Sequence, residues 1–244
     1  MSWLPRMGTT SLHRIQRRIK GNDMDKAPGA VLALAYDLYE KGEYEKALEN
    51  YEWFYDNAEK IDSTWSGAKY RSLKEWSDLG QKYKPAYDLL NSKRIEAFSA
   101  LEEERTQSTF RDYARICHVL HLDQDVINSF IYFQTVDPNF AQAVYIYIED
   151  ILINNKQWEI CSKYIVDGMG RYIEKLAIFD ELMKISKMAY DGEFDQNYIK
   201  KFTFDINNLI DILRSEHRDQ EIEAIRKKVI LDMEHRGYEP IKLN

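Results

Sequence analysis

The stretch Ala30–Ala58, AVLALAYDLYEKGEYEKALENYEWFYDNA, constrains the fold more than any other part of the chain. Val31, Leu34, Ala35 and Leu38 recur at three- and four-residue spacing, and Lys41-Gly42-Glu43 then interrupts. Tyr44, Ala47, Leu48, Tyr51 and Phe54 resume the same period. A stripe of that period is the buried face of an amphipathic helix, so the stretch predicts two helices folded back through a short turn. Gly42 is placed to end the first in the left-handed conformation that glycine adopts at little cost. Ala35 and Ala47 are small enough to let the two backbones approach closely.

The same pattern recurs downstream. Ala47, Ala86, Val126 and Cys161 fall at intervals of 39, 40 and 35 residues. Four residues after each stand Tyr51, Leu90, Phe130 and Ile165, and three before stand Tyr44, Tyr83, Asp123 and Trp158. Sixteen before are Val31, Tyr70, Phe110 and Tyr145; thirteen before are Leu34, Leu73, Tyr113 and Ile148. A shared register over more than a hundred residues predicts four helical hairpins within 25–170. The second pair is expected over Tyr70–Leu79 and Tyr83–Ala97, with a linker at Asp62–Gly67, a turn at Gly80-Gln81 and Pro85 in a first helical turn. The third is expected over Phe110–Leu120 and Asp125–Val136, stopped by Asp137-Pro138-Asn139, and the fourth over Ala141–Ile153 and Trp158–Ile165.

These features resemble the tetratricopeptide repeat, a helix–turn–helix unit of about 34 residues that stacks into solenoids. The family's small residue on the first helix is matched by Ala35 and Ala114, whereas Lys74 and Glu149 occupy it in the second and fourth units. Gly42 meets the glycine before the turn, Gly80 is displaced by one, and only Pro138 matches the closing proline. Phe54 and Phe133 replace a small residue late in the second helix. The resemblance implies an all-α, right-handed α-α superhelix of degenerate units; a Sel1-type or looser α-α repeat stays open. Three further helices, Tyr172–Tyr190, Phe194–Leu213 and Glu221–Met233, fall outside the register and are expected to complete and cap the array over 171–236. Leu176, Phe179, Leu182, Met183 and Ile185 would form the buried stripe of the first, Glu216, Arg218, Asp219, Glu221 and Glu223 a polar outer face, and 237–244 a frayed tail.

With 10 Gly and 5 Pro in 244 residues and 31% charged side chains, the composition favours helices over short strands. Residues 1–24 carry Arg6, Arg14, Arg17, Arg18 and Lys20 against Asp23, a local charge of +4 that leaves −11 on the remainder of a chain with net charge −7. This segment reads as a disordered extension, with a transit peptide or a binding arm as alternatives. An acidic body makes nucleic acid a poor default partner. Cys117 and Cys161 sit within apolar helical patterns, which suits buried thiols in the cytoplasm. No apolar run has the length of a membrane span.

Local catalytic signatures are missing: there is no G-x-S-x-G elbow, Walker loop, G-x-G-x-x-G or H-E-x-x-H. Cys117, His118 and His121 are the one cluster with metal-ligand residue types, but Cys117 falls on the core side and His118 on the groove side. No metal or cofactor is therefore expected. In the tetratricopeptide family the first helices of successive hairpins line a concave groove. The resemblance places Leu32, Arg71, Arg111 and Ile146 in one groove row, Tyr36, Glu75, Arg115 and Asp150 in the next, and Tyr39, Asp78, His118 and Ile153 in a third. The site read from these rows is Tyr36, Tyr39, Arg71, Arg111, Arg115 and His118. Arginine forks recognise carboxylates and tyrosine supplies rigid contact area, so the expected role is non-enzymatic binding of another protein or an acidic peptide segment. The bland alternative is that these arginines pair with nearby Glu and Asp. A groove hydrolase and a peptide-sensing receptor are the other functional readings.

Overall fold

The computed structural model describes residues 27–190, 192, 194–239 and 241–243, so the basic extension 1–24 lies outside the described residues. Among the described residues all regular structure is helical, the class the periodicity predicts. No described helix is long and apolar enough to cross a membrane. The chain divides into two compact units, one of residues up to 104 with 115–122 and the other of 105–114 with 123 onward.

Unit one contains α1 (Pro28–Glu40), α2 (Tyr44–Ile61), α3 (Ser66–Lys82), α4 (Lys84–Glu103) and the end of α5 (Gln107–Val119). Its main core joins Ala35 and Leu38 of α1, Ala47 and Tyr51 of α2, Leu73, Trp76 and Leu79 of α3, and Ala86 and Leu90 of α4. Ile116 and Leu120 enter the same core. Burying each of the larger side chains contributes about 1.5–3 kcal/mol. Trp76 is fully buried because its indole N–H donates to the Ala86 carbonyl at 3.1 Å, which removes the cost of a stranded donor. The predicted turn at Gly80 is instead a point of helix contact. A Cβ there would lie 3.1 Å from the Tyr87 backbone nitrogen, so glycine lets α3 and α4 approach, and the turn is made by extended Tyr83. The predicted linker is also structured. Asp62 accepts from the Thr64 N–H at 2.9 Å and opens a 3₁₀ turn, Ser63–Trp65, whose Trp65 packs edge-on to Phe54.

Unit two contains the start of α5, then α6 (Asp123–Val136), α7 (Pro138–Val144), α8 (Glu149–Asn154), α9 (Trp158–Ser162), α10 (Gly168–Tyr190), α11 (Asp195–Ser215) and α12 (Asp219–His235). Phe110 meets Phe130, Phe133 and Phe140 edge-on at ring separations of 6.4, 6.4 and 6.1 Å. The helix predicted over Ala141–Ile153 is broken by a 3₁₀ turn at Tyr145–Tyr147. The run Val144-Tyr145-Ile146-Tyr147-Ile148 alternates β-branched and aromatic residues, which lose χ1 freedom in a helix. Of the stripe predicted for α10, Leu176, Phe179 and Met183 are buried, but Ile185 is 48% exposed. The predicted polar outer face is partly a joint. Arg218 donates to the Val166 carbonyl at 2.8 Å, Glu221 accepts from the Gly168 N–H at 3.0 Å, and Glu216 accepts from Ser162 at 2.9 Å.

One turn design recurs. Gly42, His121, Lys156 and His217 adopt φ of 76°, 59°, 55° and 55°. Each N–H bonds the carbonyl three residues back and the next N–H bonds the carbonyl five back, as in Glu43 to Leu38 and Arg218 to Leu213. This Schellman arrangement satisfies the last carbonyls of the helix, and the following helix starts two residues on in every case. Five residues beyond each left-handed position stands a buried side chain: Ala47, Val126, Cys161 and Ile222. The register expected to lapse after Gly170 thus returns in α11–α12, with Ile206 and Leu209 buried in the equivalent places.

Candidate functional site

Helices α1, α3 and the end of α5 lie side by side in unit one. Contacts join α1 to α3, and the Ser77 hydroxyl of α3 donates to the Val119 carbonyl of α5 at 2.7 Å. The Arg115 guanidinium stands 5.6 Å from the centroid of the Tyr70 ring, a cation–π contact across the same pair. Five of the residues predicted from sequence belong to these helices in unit one: Tyr36, Tyr39, Arg71, Arg115 and His118. Tyr36 is 53% exposed, and Arg71, Arg115 and His118 are exposed. Tyr39 is half-buried beside Tyr44, and the Lys82 ammonium lies 4.4 Å from its ring centroid. Arg111 belongs to unit two, where it is half-buried, 3.3 Å from the Ser108 hydroxyl and 3.8 Å from Asp112. It does not join the other five within one unit. In the remaining groove rows Ile153 is buried, whereas Ile146 is 73% exposed.

The electrostatics of the α1–α3–α5 face differ from those of its surroundings. Around it, Lys41 pairs with Asp37, Lys46 with Glu43, Lys74 with Asp78 and Lys84 with Asp88. Arg71 and Arg115 have no ion pair among the described residues; one terminal nitrogen of the Arg71 guanidinium lies over Gly67. Glu75 is half-buried and likewise makes no ion pair. Burial, and then the charge of Asp78, hold its carboxyl above the usual carboxylate range. The Tyr51 side chain is 1% exposed, and its hydroxyl has no hydrogen-bond partner among the described residues. Burial drives that phenol well above its ordinary pKa, reinforced by neighbouring Glu75, Tyr39, Tyr36 and Asp78.

Tyr51 is the residue the sequence reading placed only in the core. The available signal was its hydroxyl at a position where the other hairpins carry Leu90, Phe130 and Ile165. Cys117 is fully buried and His118 exposed, so the two diverge as their register predicts, while His121 forms a turn. Among the described residues no group of three His, Cys, Asp or Glu side chains is arranged to hold a metal ion.

A concavity of about 360 Å³ lies in unit two between Tyr145, Glu149, Tyr164 and Arg171. Tyr145 and Tyr164 stack at 4.3 Å, and the Tyr145 hydroxyl donates to Glu149 at 3.3 Å. Arg171 donates to Glu149 through one terminal nitrogen and to Glu174 through the other. Burial opposes the Arg171 charge, but the bonds to Glu174 and Glu149 outweigh it and hold the guanidinium firmly protonated. Burial also pushes the Cys161 thiol up to about 11. A thiol held in that state is a poor nucleophile at neutral pH.

The chain matches no protein-family model, no curated protein and no solved structure.

Proposed function

We propose that this chain is a non-catalytic binding scaffold. Its hairpins form a tetratricopeptide-like right-handed superhelix that takes an acidic peptide segment of another protein on the α1–α3–α5 face. One observation carries the reading: Arg71 and Arg115 are exposed and make no ion pair among the described residues, Arg115 lies 5.6 Å from the Tyr70 ring centroid, and Glu75 and Tyr36 lie near the buried, unbonded hydroxyl of Tyr51. Guanidinium forks left open in this way recognise carboxylates bidentately, and the tyrosines offer contact area with little rotamer entropy to lose. The shared turn of Gly42, His121, Lys156 and His217 supports the repeat character of the hairpins. The two buried thiols suit a cytoplasmic setting.

The test is fluorescence anisotropy with a panel of labelled peptides in which Asp or Glu is flanked by Leu or Phe. A subset should bind the full chain. Arg71→Ala with Arg115→Ala should weaken that binding tenfold or more, since a hydrogen bond to a charged group is worth about 1.5–3 kcal/mol. The melting temperature should not move. Equal binding by the double variant, or no binding across the panel, would remove the proposal.

A further inference from the structure

The C-terminal end of unit two carries a site that sequence periodicity gave no reason to suspect. Gly237, at φ 76°, turns the chain so that the Tyr238 N–H bonds the Met233 carbonyl at 3.0 Å. The Tyr238 ring is thereby brought edge-on to Phe179 at 5.7 Å. The residues expected to fray instead help to wall a cavity of about 350 Å³, together with Met183, Lys184, Lys187 and Met188 of α10 and Arg236.

Charge in this cavity runs against the chain's net −7. Its lining holds three cations, Lys184, Lys187 and Arg236, against the single carboxylate of Asp180. Arg236 grips Asp180 with two parallel bonds of 2.8 Å, and this fork neutralises the carboxylate. Asp232, the adjacent acid, is answered by Lys228 at 2.9 Å. Lys184 and Lys187 have no ion pair among the described residues, and the Lys187 ammonium lies 5.7 Å from the centroid of the Tyr238 ring. Beside these two ammoniums the wall is apolar: Met183 is buried, Met188 is 79% exposed, and the Tyr238 ring completes it. Methionine is unbranched and polarizable, and so adapts to guests of different shape.

We infer that this cavity binds a small amphipathic anion, with a carboxylate at Lys184 and Lys187 and a short apolar body against Met183, Met188 and Tyr238. Two ammoniums with no carboxylate partner among the described residues, beside a low-dielectric wall, concentrate anions, and the apolar surface distinguishes such a ligand from a bare ion. The volume stands near the lower end of ligand pockets, roughly 300–1,000 Å³, and so favours a medium chain over a long one. This site lies in unit two and is independent of the peptide face in unit one.

Calorimetric titration of the full chain with octanoate tests it, with acetate as the head-group control and octylammonium as the charge control. Octanoate should bind at one site, tenfold or more weakly to K184Q/K187Q, and unchanged to K200Q/K201Q on α11. Both pairs of lysines are exposed or at the surface, and circular dichroism melts will verify that the variants fold. Acetate and octylammonium should show no saturable binding. Added salt should weaken octanoate binding, because the ammoniums face solvent. The inference is overturned if octanoate fails to bind at one site or binds K184Q/K187Q as tightly as the parent. Equal binding by acetate would reduce the cavity to a plain anion site, and equal binding by octylammonium would remove the charge argument.

Discussion

The α1–α3–α5 face and the Tyr145–Arg171 concavity are built from the same residue types, tyrosine, glutamate and arginine, and use them in opposite ways. In the concavity Glu149 accepts from both Tyr145 and Arg171, and Arg171 is held on its other side by Glu174. On the face, Arg71, Arg115 and Glu75 make no ion pair and the Tyr51 hydroxyl has no hydrogen-bond partner among the described residues. The first arrangement couples α8 to the first turn of α10 and serves stability. The second leaves donors and an acceptor available to a ligand. What separates them is whether the charged groups are paired within the fold: both terminal nitrogens of Arg171 are bonded to carboxylates, although its buried Nε is not, whereas Arg71, Arg115 and Glu75 make no ion pair among the described residues.

The largest expected effect comes from breaking the engaged cluster. Glu149 is 8% exposed, and Glu149→Ala would leave Arg171 half-buried without its inner carboxylate. Discounted for the partial exposure of Arg171, the loss should be roughly 2–4 kcal/mol in urea unfolding. The Arg71→Ala/Arg115→Ala variant should stay within about 0.5 kcal/mol of the parent in the same assay, because those side chains touch solvent. A large loss there would mean that the face is structural.

A tyrosine pair sharpens the contrast. Tyr145→Phe removes a hydroxyl bonded to Glu149 and should cost about 1 kcal/mol. Tyr51→Phe removes a buried hydroxyl with no partner and should be neutral or stabilising, because no bond is lost and a desolvated polar atom disappears. Chemical denaturation of the two variants side by side gives the sign directly; a loss for Tyr51→Phe matching that for Tyr145→Phe would erase the distinction.

The smallest expected effect concerns the turns. His217 occupies the left-handed region at φ 55° and is exposed. His217→Gly relieves strain of about 1–2 kcal/mol but adds unfolded-state entropy of about 0.4–1 kcal/mol, so it should be neutral to stabilising by about 1.6 kcal/mol at most. A drop in stability would show that the imidazole contributes more than its turn geometry demands.

Much of the fold was legible because period and burial coincide. Ala47, Ala86, Val126 and Cys161, picked out as one row, are all fully buried. Gly42 was legible because glycine announces a left-handed position. His121, Lys156 and His217 adopt the same conformation silently, since histidine and lysine are equally at home inside helices. This hid the return of the register in α11–α12. The break at Tyr145–Tyr147 was hidden because a 3₁₀ turn leaves Tyr145 and Ile148 buried and so preserves the apolar phase. Leu34 shows the converse: it matches Leu73, Tyr113 and Ile148 in register but is 48% exposed on α1. The candidate face was legible as a set of positions, but not in its electrostatics. Sequence leaves any nearby Glu or Asp as a partner for Arg71; in the structure Asp78 is taken by Lys74 and a terminal nitrogen of Arg71 lies over Gly67.

The most direct measurement is side-chain NMR of the arginine Nε–Hε groups in the full chain during titration with the tightest-binding acidic peptide. The Arg71 and Arg115 signals should shift progressively and saturate together, while Arg171 stays unmoved because its terminal nitrogens are held by Glu149 and Glu174 and its Nε is buried away from a ligand. Movement of Arg171, with Arg71 and Arg115 unchanged, would contradict it and transfer the binding site to the Tyr145 concavity.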